Sequence, residues 1–356
     1  MAFSQVSKMR PQLVPVASQA ISFFPYFYNF RRMDSERNKR QPVTSIETKY
    51  GTLGPVDHVK YEANGQASFC IPVGPIHVDT PLGRFTTQHT TDDMRRPKVE
   101  PLLFHPNGAL KSIALETRTT VDTPLGPMAA ELLSFYPCGS LRRVFPLNGK
   151  LSGYWGEKEE ATLTAPMTIT TPAGPITALL VGVQFYPGGQ LRSVTLWPDE
   201  SVEIDTPIGR QTARIGVAFH KSGALRSFEP QRMLTVPTAL GEMMAYDPDA
   251  LGIHGDLGSL SFHEDGSTAG LSTPMNTLEV TLPDGSVRKF TPEKVPNLCD
   301  ERVMNTKPLW IGFYPGKISV GDEFPEFFPL AGHQFKVGRM LQDILGPIGY
   351  ACGSSF

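Results

Sequence analysis

Four stretches of the chain are built on one plan. "FHPNGALKSI" (104–113), "FYPCGSLRRV" (135–144), "FYPGGQLRSV" (185–194) and "FHKSGALRSF" (219–228) each run phenylalanine, His or Tyr, two turn residues, glycine. A second short element recurs between them: "DTPLG" at 79–83 and 122–126, "TTPAG" at 170–174 and "DTPIG" at 205–209, with degenerate copies at 48–51 and 238–241. We call these the P-x-G turn and the T-P-x-G turn. They alternate six times. The T-P-x-G glycines are Gly51, Gly83, Gly126, Gly174, Gly209 and Gly241; the P-x-G glycines are Gly65, Gly108, Gly139, Gly189, Gly223 and Gly266. Proline presets φ at the second position of a tight turn, and glycine supplies the positive φ that follows.

Between turns the apolar residues alternate. Ala213, Ile215, Val217 and Phe219 share one strand face, as do Leu179, Val181, Val183 and Phe185. A basic unit of about 32–35 residues therefore repeats, the period of a repeat architecture. One such unit cannot bury its own apolar face, so neighbours must stack. The expected fold is all-β, an antiparallel meander array of six units, elongated or curved. A parallel β-solenoid is the alternative; a propeller ranks third, because its blades need more residues than the unit supplies. Residues 1–45 read as an N-terminal extension and linker, 46–293 as the array, and 294–356 as a C-terminal capping segment. Within that last part, 336–345 has the apolar spacing of a short helix.

Composition narrows the function. Glycine and proline at 33 each, placed regularly, mean turns rather than low complexity. A net charge of −2 gives no basic footprint for nucleic acid. Four widely spaced cysteines, none in a C-x-x-C pair, argue against a zinc site and for a reducing, cytoplasmic setting. No G-x-S-x-G, Walker A or dinucleotide fingerprint is present, so an enzyme is disfavoured. Residues 11–30 carry no charge but include three prolines and several polar residues, which makes them a poor membrane span. They read as a packed extension, with a membrane-surface role disfavoured.

The F-Y-P-x-G-x-L-R-S pattern resembles the repeats of the YwqK-type antitoxin family, relatives of the MORN repeat. "FPLNGKLSGYW" (145–155) carries the resemblance through Phe145, Asn148, Gly149, Lys150, Gly153 and Trp155. The T-P-x-G element has no counterpart in MORN units, which are also shorter. The resemblance implies a β-hairpin array used for protein contact, or for membrane association in some members.

Three insertions interrupt the array, and inserted loops are where function concentrates. The first (84–107) contains "TTDDMRRPK"; its mixed charge predicts a solvated loop in which Arg95 and Arg96 are candidate contacts for an acidic or phosphorylated partner. The second (140–160) is expected to hold an extra hairpin, then "GEKEE", with Trp155 a candidate contact. The third, "YDPDALGIHGDLGS" (246–259), gathers Asp247, Asp249, His254 and Asp256, a set that could ligate a divalent metal or do His–Asp acid–base chemistry. Its spacing matches neither an EF-hand nor H-E-x-x-H, and caps and turns explain the same residues. No cofactor is expected otherwise. His105, His220 and His263 occupy the position that Tyr136 and Tyr186 fill in sister units, which marks a structural role. The leading expectation is a non-enzymatic module that binds protein.

Overall fold

The structure is a computed structural model and describes residues 45–92, 94–96, 98–150, 152, 154–250, 258–297, 300 and 302–340. Sixteen strands form one sheet running from Val56–Tyr61 at one edge to Glu326–Pro329 at the other. Every strand pair among the described residues is antiparallel, so the meander holds and the parallel solenoid does not. At ~4.8 Å per strand the sheet is about 70 Å across.

All twelve expected turn glycines have positive φ. Each P-x-G turn closes the same way: the N–H of the residue after the aromatic donates across the turn, and the glycine N–H donates back. At 186–190 these bonds are Tyr186 N–H to Gln190 O, 2.8 Å, and Gly189 N–H to Tyr186 O, 2.9 Å. The hairpin loses one residue of register there, Phe185 pairing with Leu191, the mark of a bulged turn. In the T-P-x-G turn the threonine does the work. Thr206 Oγ1 donates to Gly209 O (2.5 Å) and accepts the Ile208 N–H (3.3 Å), and the other five threonines repeat the pattern.

The two turns have separate places. The P-x-G hairpins of the six units lie in the large sheet, whereas four of the six T-P-x-G hairpins are separate two-stranded ribbons, such as Met167–Thr171 with Gly174–Ala178, and those turning at 123–126 and 206–209 are the ends of strands that also belong to the large sheet. Ribbon turns rest on the next unit's P-x-G turn. A Cβ at Gly189, Gly223 or Gly266 would stand 3.3, 3.5 or 3.3 Å from the ring of Pro124, Pro172 or Pro207. The core fills the space between ribbons and sheet. Its floor is one cross-strand row: Ile113, Leu133, Val144, Val183, Val194, Val217, Phe228, Leu260, Leu271, Ile311 and Val320, each register-paired with the next.

The shared His/Tyr position links units. His105 Nε2 reaches Phe135 O at 3.0 Å, Tyr136 OH reaches Phe185 O at 2.8 Å, and Tyr186 OH reaches Phe219 O at 2.9 Å. His220 and His263 continue the ladder to Phe262 O and Phe313 O, at 2.9 and 2.8 Å. A carbonyl only accepts, so each of these histidines holds its proton on Nε2.

The array pattern runs further than its repeats suggest. Leu309–Tyr314 pairs with Thr268–Thr273, and Lys317–Val320 and Glu326–Pro329 extend the sheet beyond it. "TPMN" (273–276) is a T-P-x-G turn with asparagine as its last residue: Thr273 Oγ1 accepts the Met275 N–H. "LPDG" (282–285) is another P-x-G turn, its Gly285 at φ 85. Residues 336–339 are strand, not helix, because Gln334–Arg339 completes a ladder with Asn276–Thr281. Residues 341–345 lie outside the described residues.

Candidate functional site

The first two insertions meet. Arg95 is buried, and its guanidinium holds Glu160 with two bonds of 2.7 Å and Glu131 with one of 2.5 Å. Trp155 Nε1 donates to Glu160 Oε2 at 2.6 Å. Backbone closes the remaining lone pairs: Asn148 N–H donates to Glu131 (2.7 Å) and Gly149 N–H to Glu160 (2.9 Å). Burial alone would lower the Arg95 pKa, but its bonds to Glu160 and Glu131 raise it above the ordinary arginine value. Lys150 donates its N–H to Arg95 O (2.8 Å) and pairs its Nζ with Glu100 (2.9 Å).

Two expectations change here. The 92–98 segment is not solvated throughout: Arg95 finds its acidic partners within the chain, because two carboxylates are buried around it. Arg96 is half-buried, with Nη1 and Nη2 donating to Glu116 O (3.3 Å) and Leu115 O (2.9 Å), and burial lowers its pKa. The extra hairpin at 145–155 does not form among its described residues. The N–H groups of Asn148 and Gly149, which a ladder would have used, go to carboxylates. Gly149 is required there, since a Cβ would overlap the Glu160 carboxylate. That glycine was the available signal, read for a turn when it marks close approach. Glu157–Ala161 is instead a short helix that delivers Glu160.

A second polar cluster lies under the third insertion. The strand Gly209–Phe219 bulges between Arg214 and Val217, with Ile215 at φ 64, and re-aims Arg214. Arg214 Nη2 reaches Asp247 O (2.7 Å) and Glu229 Oε1 (3.5 Å), and its Cζ lies 5.0 Å from the centre of the Tyr246 ring. Glu229 accepts the N–H (2.8 Å) and hydroxyl (2.6 Å) of Ser259. Burial nevertheless holds Glu229 and Asp247 above the usual carboxylate range.

Of the four candidate metal ligands, Asp247 is half-buried and its Oδ1 accepts the Asp249 N–H at 3.0 Å, while Asp249 is exposed. His254 and Asp256 lie outside the described residues. Among the described residues no three His, Cys, Asp or Glu side chains converge as a metal-binding group. The Asp247–Asp249 bond is the arrangement that turn capping produces.

Sequence reasoning missed the aromatic patch at the sheet's C-terminal edge. Tyr314 and Phe327 lie 6.0 Å apart, and Lys317 Nζ stands 5.8 and 4.8 Å from their ring centres. Phe327 is 51% and Phe324 88% exposed. These residues sit on or beside the last strand, Glu326–Pro329, whose outer hydrogen-bonding edge has no strand partner among the described residues. "FPEFFP" (324–329) was the available signal.

No family model, curated protein or solved structure matches this chain. Among the described residues no helix is long and apolar enough to cross a membrane.

Proposed function

We propose that the protein is a non-enzymatic scaffold whose sheet edge, at Glu326–Pro329, receives a protein partner. The observation that carries this reading is an open strand edge flanked by exposed aromatic rings. Such an edge offers backbone donors and acceptors for strand addition, and the rings offer apolar anchor area beside it. The resemblance to MORN-type hairpin arrays, which implies protein contact, points the same way. In this reading the C-terminal strands from Leu309 to Pro329 extend the array and supply the edge, and the free thiols of Cys70 and Cys138 suit a reducing cytoplasm.

Quantitative affinity capture from the native host, comparing wild type with a Phe324→Asp/Phe327→Asp variant, tests the proposal. A stoichiometric partner lost at least tenfold by the variant, with the far-UV spectrum unchanged, is the expected result. Equal recovery by both proteins would remove the edge from consideration.

A further inference from the structure

The open edge strand, Glu326–Pro329, is bracketed by prolines: Pro325 stands before it and Pro329 ends it, and both are exposed. In an antiparallel ladder, alternate residues turn their N–H and C=O toward opposite neighbours. Leu330 N–H donates inward to Gly316 O at 2.8 Å, and the register pairs Phe328 with Ile318 and Glu326 with Val320. Leu330, Phe328 and Glu326 therefore use their backbone groups within the sheet, and Pro325, Phe327 and Pro329 face outward. Proline has no N–H. The edge thus offers the carbonyls of all three residues but a single donor, the Phe327 N–H.

That inventory decides what can add to the edge. A second copy in the symmetric antiparallel register would set Phe327 against its own counterpart and each Pro325 against a Pro329. The phenylalanines would exchange two bonds, and the proline pairs, having no donor, would make none. Head-to-tail addition would use the sheet's far edge, Val56–Tyr61, and that edge is broken. Its register shifts between Asp57 and Lys60 and again between Lys60 and Tyr61, with His58 at φ 48. A foreign strand with N–H groups at three alternate positions fits better. Its central residue exchanges two bonds with Phe327, and the residues two before and two after it donate to Pro329 O and Pro325 O, four bonds in all.

The central residue's side chain would fall on the sheet face that carries Phe327, Ser319 and Lys317. Lys317 Nζ lies 4.8 Å from the Phe327 ring centre, and among the described residues Lys317 has no carboxylate partner. A carboxylate beside Phe327 would complete it. Given an edge that receives a protein partner, as proposed above, we infer that the occupant is an extended segment of another protein. It has no proline at three alternate positions and carries Asp or Glu at the middle one. Pro325 and Pro329 select it against a second copy of this chain.

Two measurements on the full chain test this. Sedimentation equilibrium compares wild type with Pro325→Thr/Pro329→Thr, which gives each edge two more donors and raises the symmetric pair from two bonds to six. The variant should dimerise at least tenfold more tightly than wild type at unchanged far-UV signal. Adding Phe327→Pro, tolerable because that N–H faces away from the sheet, should abolish the association. A wild type that dimerises through Phe327 would make a second copy the occupant, and a threonine variant that stays monomeric would show that the prolines do not guard the edge; either overturns the inference. Random linear heptapeptides displayed on phage are then selected on wild type and resynthesised. Those recovered should carry a carboxylate with no proline two residues to either side. N-methylation at those two positions, Lys317→Met or Phe327→Pro should each weaken binding at least tenfold. No recovery, or peptides indifferent to these changes, overturns strand addition by such a segment. Capture that is still lost with Phe324→Asp/Phe327→Asp would then leave a partner at the rings, whereas equal capture would remove both readings.

Discussion

Arg95 shows how a charged residue in an inserted loop becomes structural. Its three bonds to Glu160 and Glu131 balance the loss of hydration of all three groups, and the bonds from Trp155, Asn148 and Gly149 complete the set. Removing one member leaves the others buried and unpaired. Arg95→Met should cost about 3–5 kcal/mol in urea unfolding, whereas Arg302→Met, whose exposed ion pair lies at the surface, should change stability by under ~1 kcal/mol. Glu229 gives the opposite case. Burial raises its pKa in the folded state, so the folded protein binds that proton more tightly than the unfolded chain does. The stabilisation is full below the unfolded carboxylate pKa of about 4.3 and is lost as pH rises through the raised folded value. Glu229→Gln should remove this term, and the wild-type stability relative to the variant should decline in denaturant titrations as pH rises above the unfolded carboxylate pKa of about 4.3. A flat difference would mean that the Ser259 bonds keep Glu229 ionised at no cost.

At the scale of the element, the unit of construction is a hairpin with a tether. The P-x-G turn sets the register, and the His or Tyr beside it ties that hairpin to a backbone carbonyl of the next. Histidine and tyrosine are interchangeable there because both put a donor at the same reach from the strand. Tyr186→His should therefore retain the bond to Phe219 O, while Tyr186→Phe should lose about 0.5–1.5 kcal/mol, read from thermal or urea unfolding. If the histidine variant is the weaker of the two, the tether is not the reason for the shared position. This much was legible beforehand: the twelve turn glycines, the strand alternation and the structural standing of the His/Tyr site all came from spacing. What spacing did not reveal was which glycines served other ends. Gly149 sits in an N-G-K stretch shaped like a turn, and its neighbourhood of carboxylates is assembled from residues 95, 131 and 160, far apart in sequence. Asn276 hid a seventh T-P-x-G turn by replacing the glycine, its side chain bonding Thr273 Oγ1 instead.

For the whole molecule the governing fact is continuity. One apolar row crosses the sheet from Ile113 to Val320, so each interior strand is buried on that face only while both neighbours are present. Ending the chain after Asn297 removes the Leu309–Tyr314 partner of Thr268–Thr273 and bares a long, apolar strand edge. That truncation should associate and scatter light at concentrations where the full chain stays dispersed. An equally dispersed truncation would show that the array does not need its C-terminal strands.

Sequence alone determined the hairpins, because a turn is a local matter: proline fixes φ, glycine admits the left-handed conformation and threonine bonds its own turn, all within five residues. It pointed to an antiparallel meander through strand alternation and turn spacing, but the choice over a parallel solenoid came from the observed strand pairing, because one apolar strand face can be buried in either arrangement. Tertiary structure decided the rest. Whether Arg95 meets water or Glu160 and which strand is left at the edge depend on partners tens to hundreds of residues away. Desolvation and pairing are properties of those assembled neighbours, and no local pattern encodes them.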